Sequence, residues 1–382
     1  MPDSPVYLDH HATTPVDPRV LDAMLPWFTR NFGNPHSVDH AYGWAAEEAV
    51  EQARRAVADL IGAEAREIIF TSGATEANNL ALRGIGPALA AAGRTEIIAS
   101  PLEHPCVMAC LEALISDGFS VRFLTVGATG LVDPAEVAAW LGPATGLVTV
   151  MAANHEIGTV QPIDEIGRLA RAAGALFHVD AAQAAGKIPL AMAEIDLMTL
   201  SAHKLYGPKG IGALAVRRAV RPLLKPLMLG GGQEQGLRSG TVPVPLAVGF
   251  GVAARLARAE MGGEAVRLAY LRDRLFDRLR AEGLVFHLHG DPARRLTGNI
   301  NFRIGEIDAE AIIARVRDRV AISTGAACAS AELKPSSVLR AIGLGEAQAL
   351  GALRIGLGRS TREADIDAAA AALIEACRDL GA

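Results

Sequence analysis

Lysine is scarce in this chain, with five occurrences at 187, 204, 209, 225 and 334. Lys204, in SAHKLYGPKG, follows the apolar run LMTL, is flanked by His203, and has Gly207 and Gly210 beyond it. An amine so placed either forms a Schiff base with a carbonyl group or is an ordinary surface lysine. The other four fit a covalent role less well. Lys187 precedes IPL in a loop, Lys209 lies between Pro208 and Gly210, Lys225 sits in a proline-bounded segment, and Lys334 precedes Pro335. Cys328 is the second reactive candidate. Its surroundings, STGAACAS, are polar and made of tiny residues, and they leave three readings open: a packed hydrophobe, a metal ligand or a reactive thiol.

Three further stretches carry polar groups of the right kind. TSGATE, Thr71 to Glu76, offers backbone N–H groups and hydroxyls at a helix start, which suits a phosphate and equally an ordinary capped turn. It is neither GxGxxG nor a P-loop. Asp180 and Gln183 lie in HVDAAQ. A carboxylate directly after an apolar strand either pairs with a buried positive charge, such as a protonated ring nitrogen, or caps the next helix. His104, in PLEHPC, could stack on an aromatic cofactor or transfer protons.

The elements that must hold these residues read as α/β. EIIF, TEIIAS, VRFLTV, GLVTVMAA, ALFHVDA and DLMTLSAH are short β-like runs, most of them separated by helical segments such as CVMACLEALISDG and IDEIGRLARAAG. This alternation predicts a largely parallel sheet with helices on both faces, extended by GIGALAVRR. In such a sheet, ligand chemistry collects outside the carboxyl ends of the strands. TSGATE, EH, NHE, DAAQ and SAHK each follow an apolar run, so five strand ends are expected to converge on one site. After Pro245 the texture changes to a long Ala/Arg/Leu-rich helical region running to about Leu284, followed by the strand-like GNINFRI and ALRIGLG. A domain boundary is expected near 250 to 260.

Composition narrows the function classes. The chain has 382 residues, half of them apolar, with a net charge of −5. It shows no Lys/Arg block and no run long and apolar enough to span a bilayer, so neither nucleic acid nor membrane is an expected partner. The start, MPDSPVYLDHHATT, does not read as a secretory signal, and the expected location is cytoplasmic. Four cysteines, at 106, 110, 328 and 377, are too few for a disulfide scaffold. Cys106, Cys110 and Cys377 read as packing residues. The ten histidines show no HExxH and the cysteines no CxxC, so no metal is expected. His287 and His289 read as surface residues on a strand. A phosphate-bearing, ring-containing cofactor held by a lysine describes pyridoxal phosphate.

The ordered series YLDHHATTPVDPRV, GNPHS, FTSGATEANN, EHPCV, ANHEIGTVQP, HVDAAQAAGK, SAHKLYGPKGIGAL, GGGQEQGLRSGT, STGAACAS and ALRIGLGRST resembles the cysteine desulfurases of the nitrogenase-associated and iron–sulfur-cluster-assembly type, class V aminotransferase relatives of fold type I. The resemblance implies a large domain, 15–255, with a mostly parallel seven-stranded sheet. It also implies a smaller α+β domain, 1–14 with 256–382. The implied reaction is PLP-dependent removal of sulfur from L-cysteine, giving L-alanine and a persulfide on Cys328. Lys204 would carry the cofactor, Asp180 would pair with its ring nitrogen, and His104 would stack on the ring and assist proton transfer. Gln183 and Asn154 would bond the phenolic oxygen side. Ala74, Thr75, Ser201 and His203 would hold the phosphate, joined by Thr241 from the second subunit of a homodimer with a shared site. Asn34 and Arg354 would hold the substrate carboxylate, a task suited to the planar fork of arginine. A sulfur-acceptor protein, either a scaffold or a thiolation enzyme, is the implied partner.

The alternatives are a PLP-dependent aminotransferase, a C–S or selenocysteine lyase of the same fold, and a non-catalytic sulfur shuttle. Departures from the family pattern fall at Ala326 and Ala329, where relatives usually carry hydroxyls, at His10 and His11, and at Cys106. The chain also ends at Ala382, short of the longer tail by which housekeeping relatives engage a scaffold.

Overall fold

The computed structural model describes residues 5–324 and 335–381. Cys328, Ala326, Ala329 and Lys334 lie outside the described residues.

Thirteen strands occur among them. β1 is Val6–Tyr7, β2 Ile68–Thr71, β3 Glu96–Ala99, β4 Ser120–Phe123, β5 Thr145–Thr149, β6 Leu176–Asp180, β7 Leu197–Ser201 and β8 Gly212–Val216. β9 is Phe286–Leu288, β10 Asn299–Ile304, β11 Val320–Ala321, β12 Ser323–Thr324 and β13 Ala352–Gly356. β2 to β8 form a seven-stranded sheet in the order β2-β8-β7-β6-β5-β3-β4. Only β8 runs against its neighbours, so β2, β3, β5, β6 and β7 all end on one edge.

The alternation of side chains explains why these runs read as continuously apolar. Ile68 and Phe70 of β2 face one core while Ile69 faces another, and Leu197 against Met198 and Leu200 of β7 divides in the same way. Both faces are buried, so both phases of the two-residue period must be hydrophobic. On one face lie the helices Ala41–Leu60 and the first part of Val244–Ala281; on the other lie Ala74–Ala91 and Pro105–Ser116. The expected strand VRFLTV is β4, an exposed edge strand.

The 38-residue helix Val244–Ala281 passes from one core to another. Its residues through Ala257 pack with the large sheet, and Leu268 to Leu279 pack with β10, β13 and the helix Glu363–Asp379. The division expected at 255 to 256 falls inside this helix. The second core lies under an antiparallel sheet, β12-β13-β10-β9, while β1 pairs in parallel with β11.

His289 corrects a sequence expectation. It lies just past β9, buried, with Nδ1 2.7 Å from Asn301 Oδ1, whereas His287 is exposed. The run around it is too short for its alternation to show which phase faces inward. Cys110 and Cys377 are buried packing residues. Among the described residues no helix is long and apolar enough to cross a membrane.

Candidate active site

The five parallel strand ends meet at a cavity of about 480 Å³. β2 delivers Ser72 to Glu76, β3 His104, β5 Met151 to His155, β6 Asp180 to Gln183, and β7 Ser201 to Lys204. Of the residues expected from sequence, Ala74, Thr75, His104, Asp180, Gln183, Ser201, His203 and Lys204 all line this one space.

Asp180 ends β6. Its Oδ1 accepts the Ala182 N–H at 2.9 Å and its Oδ2 accepts Asn78 Nδ2 at 2.8 Å, which pins a buried carboxylate with two neutral donors. No cationic side chain is hydrogen-bonded to it among the described residues, so the carboxyl group is left to pair with a ligand in the cavity. Asn78 comes from the buried face of the Ala74–Ala91 helix. It also donates to Cys106 Sγ at 3.2 Å, and its Oδ1 lies 3.1 Å from His178 Nε2.

Lys204 lines the same cavity, in a single 3₁₀ turn after β7. Its Nζ donates to the carbonyls of His11 and Ala12 at 2.8 and 2.7 Å, held by dipoles rather than by a carboxylate. Burial and the nearby Arg354 push the amine down to about 8. Tyr206, two residues on, adopts φ +66, a left-handed conformation unusual for a side chain of this size. Its hydroxyl donates to Glu264 at 2.9 Å and accepts the Arg359 N–H, which ties this turn to the chain beyond β13.

His104 caps the Pro105–Ser116 helix, its Nδ1 accepting the Cys106 N–H at 3.2 Å. Cys106 Sγ lies 3.0 Å from the same nitrogen. Cys106 therefore does more than pack: it lines the cavity and joins His104 to Asn78. Burial, reinforced by Asp180, pushes its thiol up to about 12, which keeps it protonated.

The helix Ala74–Ala91 begins with no side-chain cap, so its first N–H groups are available where Ser72 to Thr75 line the cavity. Ser201 and His203 face the same end. His203 Nδ1 lies 3.0 Å from Thr13 Oγ1, and burial pushes its pKa down to about 4.

An amine, a buried carboxylate, hydroxyls and an open helix terminus match the aldehyde, ring nitrogen and phosphate of pyridoxal phosphate. The donor set fits that cofactor. Among the described residues no cluster of three or more His, Cys, Asp or Glu is placed to hold a metal ion.

Four expected residues lie off this cavity. Asn154 is fully buried, its Nδ2 donating to Leu102 O at 3.1 Å and its Oδ1 accepting from Glu156 and Ile157 N–H. Asn34 is exposed, its Oδ1 accepting the His36 N–H. Thr241 is exposed on a neighbouring hollow of about 160 Å³ that shares Ser72 and Gly210 with the main cavity. Arg354, on β13, is buried and pairs with Asp9 at 3.0 Å.

Two residues without a site role in the sequence reading belong here: Lys209, set aside there as a covalent lysine, lines the cavity, and Asn78 links Asp180 to Cys106. The available signal for Asn78 was one polar residue among Ala77, Leu80 and Ala81 on a buried helix face. By sequence Lys187 reads as a loop residue. Its amine turns inward and donates to Gln183 O and Oε1 at 2.9 and 3.1 Å, and burial pushes it down to about 7. His10 and His11 are both buried. A side chain at Gly358 would overlap the His10 ring at 2.0 Å, so glycine is required for that approach.

Glu103 lies just behind the site. Its Oε1 accepts the Met151 N–H at 2.6 Å, and burial with the nearby Asp180 pushes it from 4.5 up to about 8. The folded chain thus retains a proton that the unfolded chain releases. The stability this group lends is complete below pH 4.5 and is lost as pH rises through about 8. Glu103→Gln keeps the neutral shape, so its melting temperature should gain on that of the wild type from pH 5 to 8. A gap that stays constant across this range in thermal scans would contradict the buried proton.

The fold and this donor set define a PLP-dependent enzyme of the aminotransferase class-V kind, whose family model matches residues 6–369. A cysteine desulfurase IscS of Anaeromyxobacter sp. (strain Fw109-5) is 50% identical over 378 residues, covering 98% of this chain and 93% of that protein. A solved NifS-like protein superposes with a TM-score of 0.90 at 34% identity, covering 98% of this chain and 99% of its own. SspA, solved in complex with cysteine, gives 0.80 at 40% identity, covering 92% of this chain and 98% of its own. The chain belongs to the cysteine desulfurase family.

Proposed function

We infer that the protein takes sulfur from L-cysteine, leaving L-alanine and carrying the sulfur as a persulfide on Cys328 to an acceptor protein. The observation that carries this reading is the presence of Lys204 and Asp180 in the lining of one cavity in a chain of this family. Bound PLP supplies an electron sink for charge developing at the substrate α-carbon.

The chain's own groups do the rest. Asp180, held by Asn78 and the Ala182 N–H, would keep the ring nitrogen protonated. The open N–H groups at Ala74 and Thr75, with Ser201 and His203, would hold the phosphate, and Thr241 would join them from a second copy. Gln183 and Asn154 are assigned to the phenolic oxygen side.

Lys204, with a pKa near 8, is partly neutral at physiological pH and so can take and return the α-proton. His104 Nδ1 already accepts a backbone N–H, which leaves Nε2 as the atom that exchanges protons. Arg354 and Asn34 would hold the substrate carboxylate. The thiolate of Cys328 would attack the substrate sulfur, forming the S–S bond as the substrate's C–S bond breaks.

A homodimer is supported by an exposed apolar strip in which Leu25, Phe28, Phe32, Tyr42 and Trp44 are each more than half exposed. The proposed domains, 15–255 and 1–14 with 256–382, are supported by two main cores, one under each sheet, with Ala257 and Leu296 packing into the first. The proposed location is the cytoplasm.

The test is product stoichiometry. Purified protein given L-cysteine and a reductant should release alanine and sulfide in equal amounts. Sulfide accompanied by pyruvate and ammonia instead would mark a C–S lyase and overturn the reading.

A further inference from the structure

Arg354 is an underused guanidinium. It is 5% exposed, yet among the described residues its only hydrogen-bond partner is Asp9, reached through Nη2 at 3.0 Å, and its Nε is buried with none. Arginine carries five N–H donors and cannot shed its charge, so a buried one left largely unpaired has room for a second anion.

Asp9 is placed there by the fold rather than by chance contact. It bridges to Gly356 at the end of β13, with His10 N–H donating to Gly356 O at 3.1 Å and Gly356 N–H to Leu8 O at 2.7 Å. Ser323 stands opposite Arg354 across β12 and β13 and donates its hydroxyl to the same Asp9 Oδ1 at 3.2 Å. The turn that begins at Asp9 also supplies the two carbonyls that hold Lys204. One short turn therefore touches both Lys204 and Arg354, and its only carboxylate rests on Arg354.

We propose that Asp9 sets the enzyme's affinity for α-carboxylates, acting as a built-in counter-anion that an incoming carboxylate must share Arg354 with. The proposal rests on the reading that Arg354 holds the substrate carboxylate. Substrate and product carry the same carboxylate, so Asp9 weakens both alike. Uniform weakening raises KM without slowing the chemical step and speeds product departure. It makes Asp9 a specificity-determining residue that tunes how readily alanine leaves.

Two substitutions separate charge from orientation. Asp9→Asn keeps an oxygen for Arg354 Nη2 and removes the charge; Asp9→Ala removes both. The turn itself is held by the Asp9 carbonyl, which accepts Ala12 N–H and the Tyr7 hydroxyl at 3.0 Å, so both variants retain it.

On cofactor-loaded enzyme, Asp9→Asn should lower the KM for L-cysteine and the inhibition constant of L-alanine by a common factor of about tenfold. Inhibition by 3-mercaptopropionate, which has the carboxylate and thiol but no amine, should tighten by the same factor. Cysteamine, which has no carboxylate, should be unaffected. Weaker or unchanged binding of the carboxylates, a fall in kcat without a change in KM, or an equal shift for cysteamine would overturn the proposal.

Arg354→Gln keeps the two readings apart. It should weaken 3-mercaptopropionate and leave cysteamine alone. If it weakens neither, the carboxylate role of Arg354 is wrong; if it behaves as expected and Asp9→Asn has no effect, only the role of Asp9 is wrong.

Discussion

Lys204→Ala should yield a folded protein that neither links the cofactor covalently nor turns over L-cysteine. Borohydride should fix pyridoxal phosphate to the wild type at Lys204, seen by peptide mass, and should label the variant nowhere. The expected fall in turnover is at least on the order of 10³, because one residue is asked both to anchor the cofactor and to move the α-proton. Lys187 is the obvious substitute, since its amine is also buried and pushed down to about 7. It points away, however, donating to the Gln183 carbonyl and side chain. Label on Lys187 or Lys209 in the unaltered protein would contradict the assignment.

The same amine sets a pH dependence. Lys204 titrates near 8 instead of 10.5, because burial and Arg354 disfavour its charge. Only the neutral amine attacks an aldehyde. Cofactor uptake by the cofactor-free protein should therefore be fast above pH 8 and fall about tenfold for each pH unit below it. A midpoint close to 10.5, followed by absorbance on mixing, would show that the burial argument is wrong.

Cys328→Ala should abolish release of both alanine and sulfide while leaving cofactor binding intact. A thiol of ordinary pKa is only a few per cent ionised at neutral pH, yet its thiolate is the one side-chain group that attacks sulfur readily. No acidic residue stands within three positions of Cys328 to oppose ionisation, Glu332 being the nearest along the chain. Cys106 cannot replace it: burial beside Asp180 holds that thiol protonated, with a pKa of about 12. Alanine and sulfide measured together decide the point. Unchanged turnover in Cys328→Ala would remove the nucleophile and favour a lyase, in which the cofactor and Lys204 suffice.

The sequence by itself determined the α/β architecture and most of the residues that line the cavity. Both faces of the large sheet are buried, so its strands are short apolar runs, and a polar residue following such a run must sit at the sheet edge. That rule located Asp180, Ser201, Lys204 and the TSGATE turn, and the parallel sense of their strands brings those ends together. The order of the motifs along the chain pointed to the family.

What only the tertiary structure decided is which groups meet across long separations. Asn78 and Asp180 are 102 residues apart, and Asp9 and Arg354 are 345 apart. Neither contact leaves a periodicity or a local motif, because both depend on how elements pack rather than on what each element is. The inward turn of Lys187, the burial of His289 and the use of Cys106 as a cavity wall belong to the same class. Local patterns specify which phase of a strand or helix is apolar; the polar groups trapped between elements are sorted by packing, since each must find a partner wherever the fold delivers one.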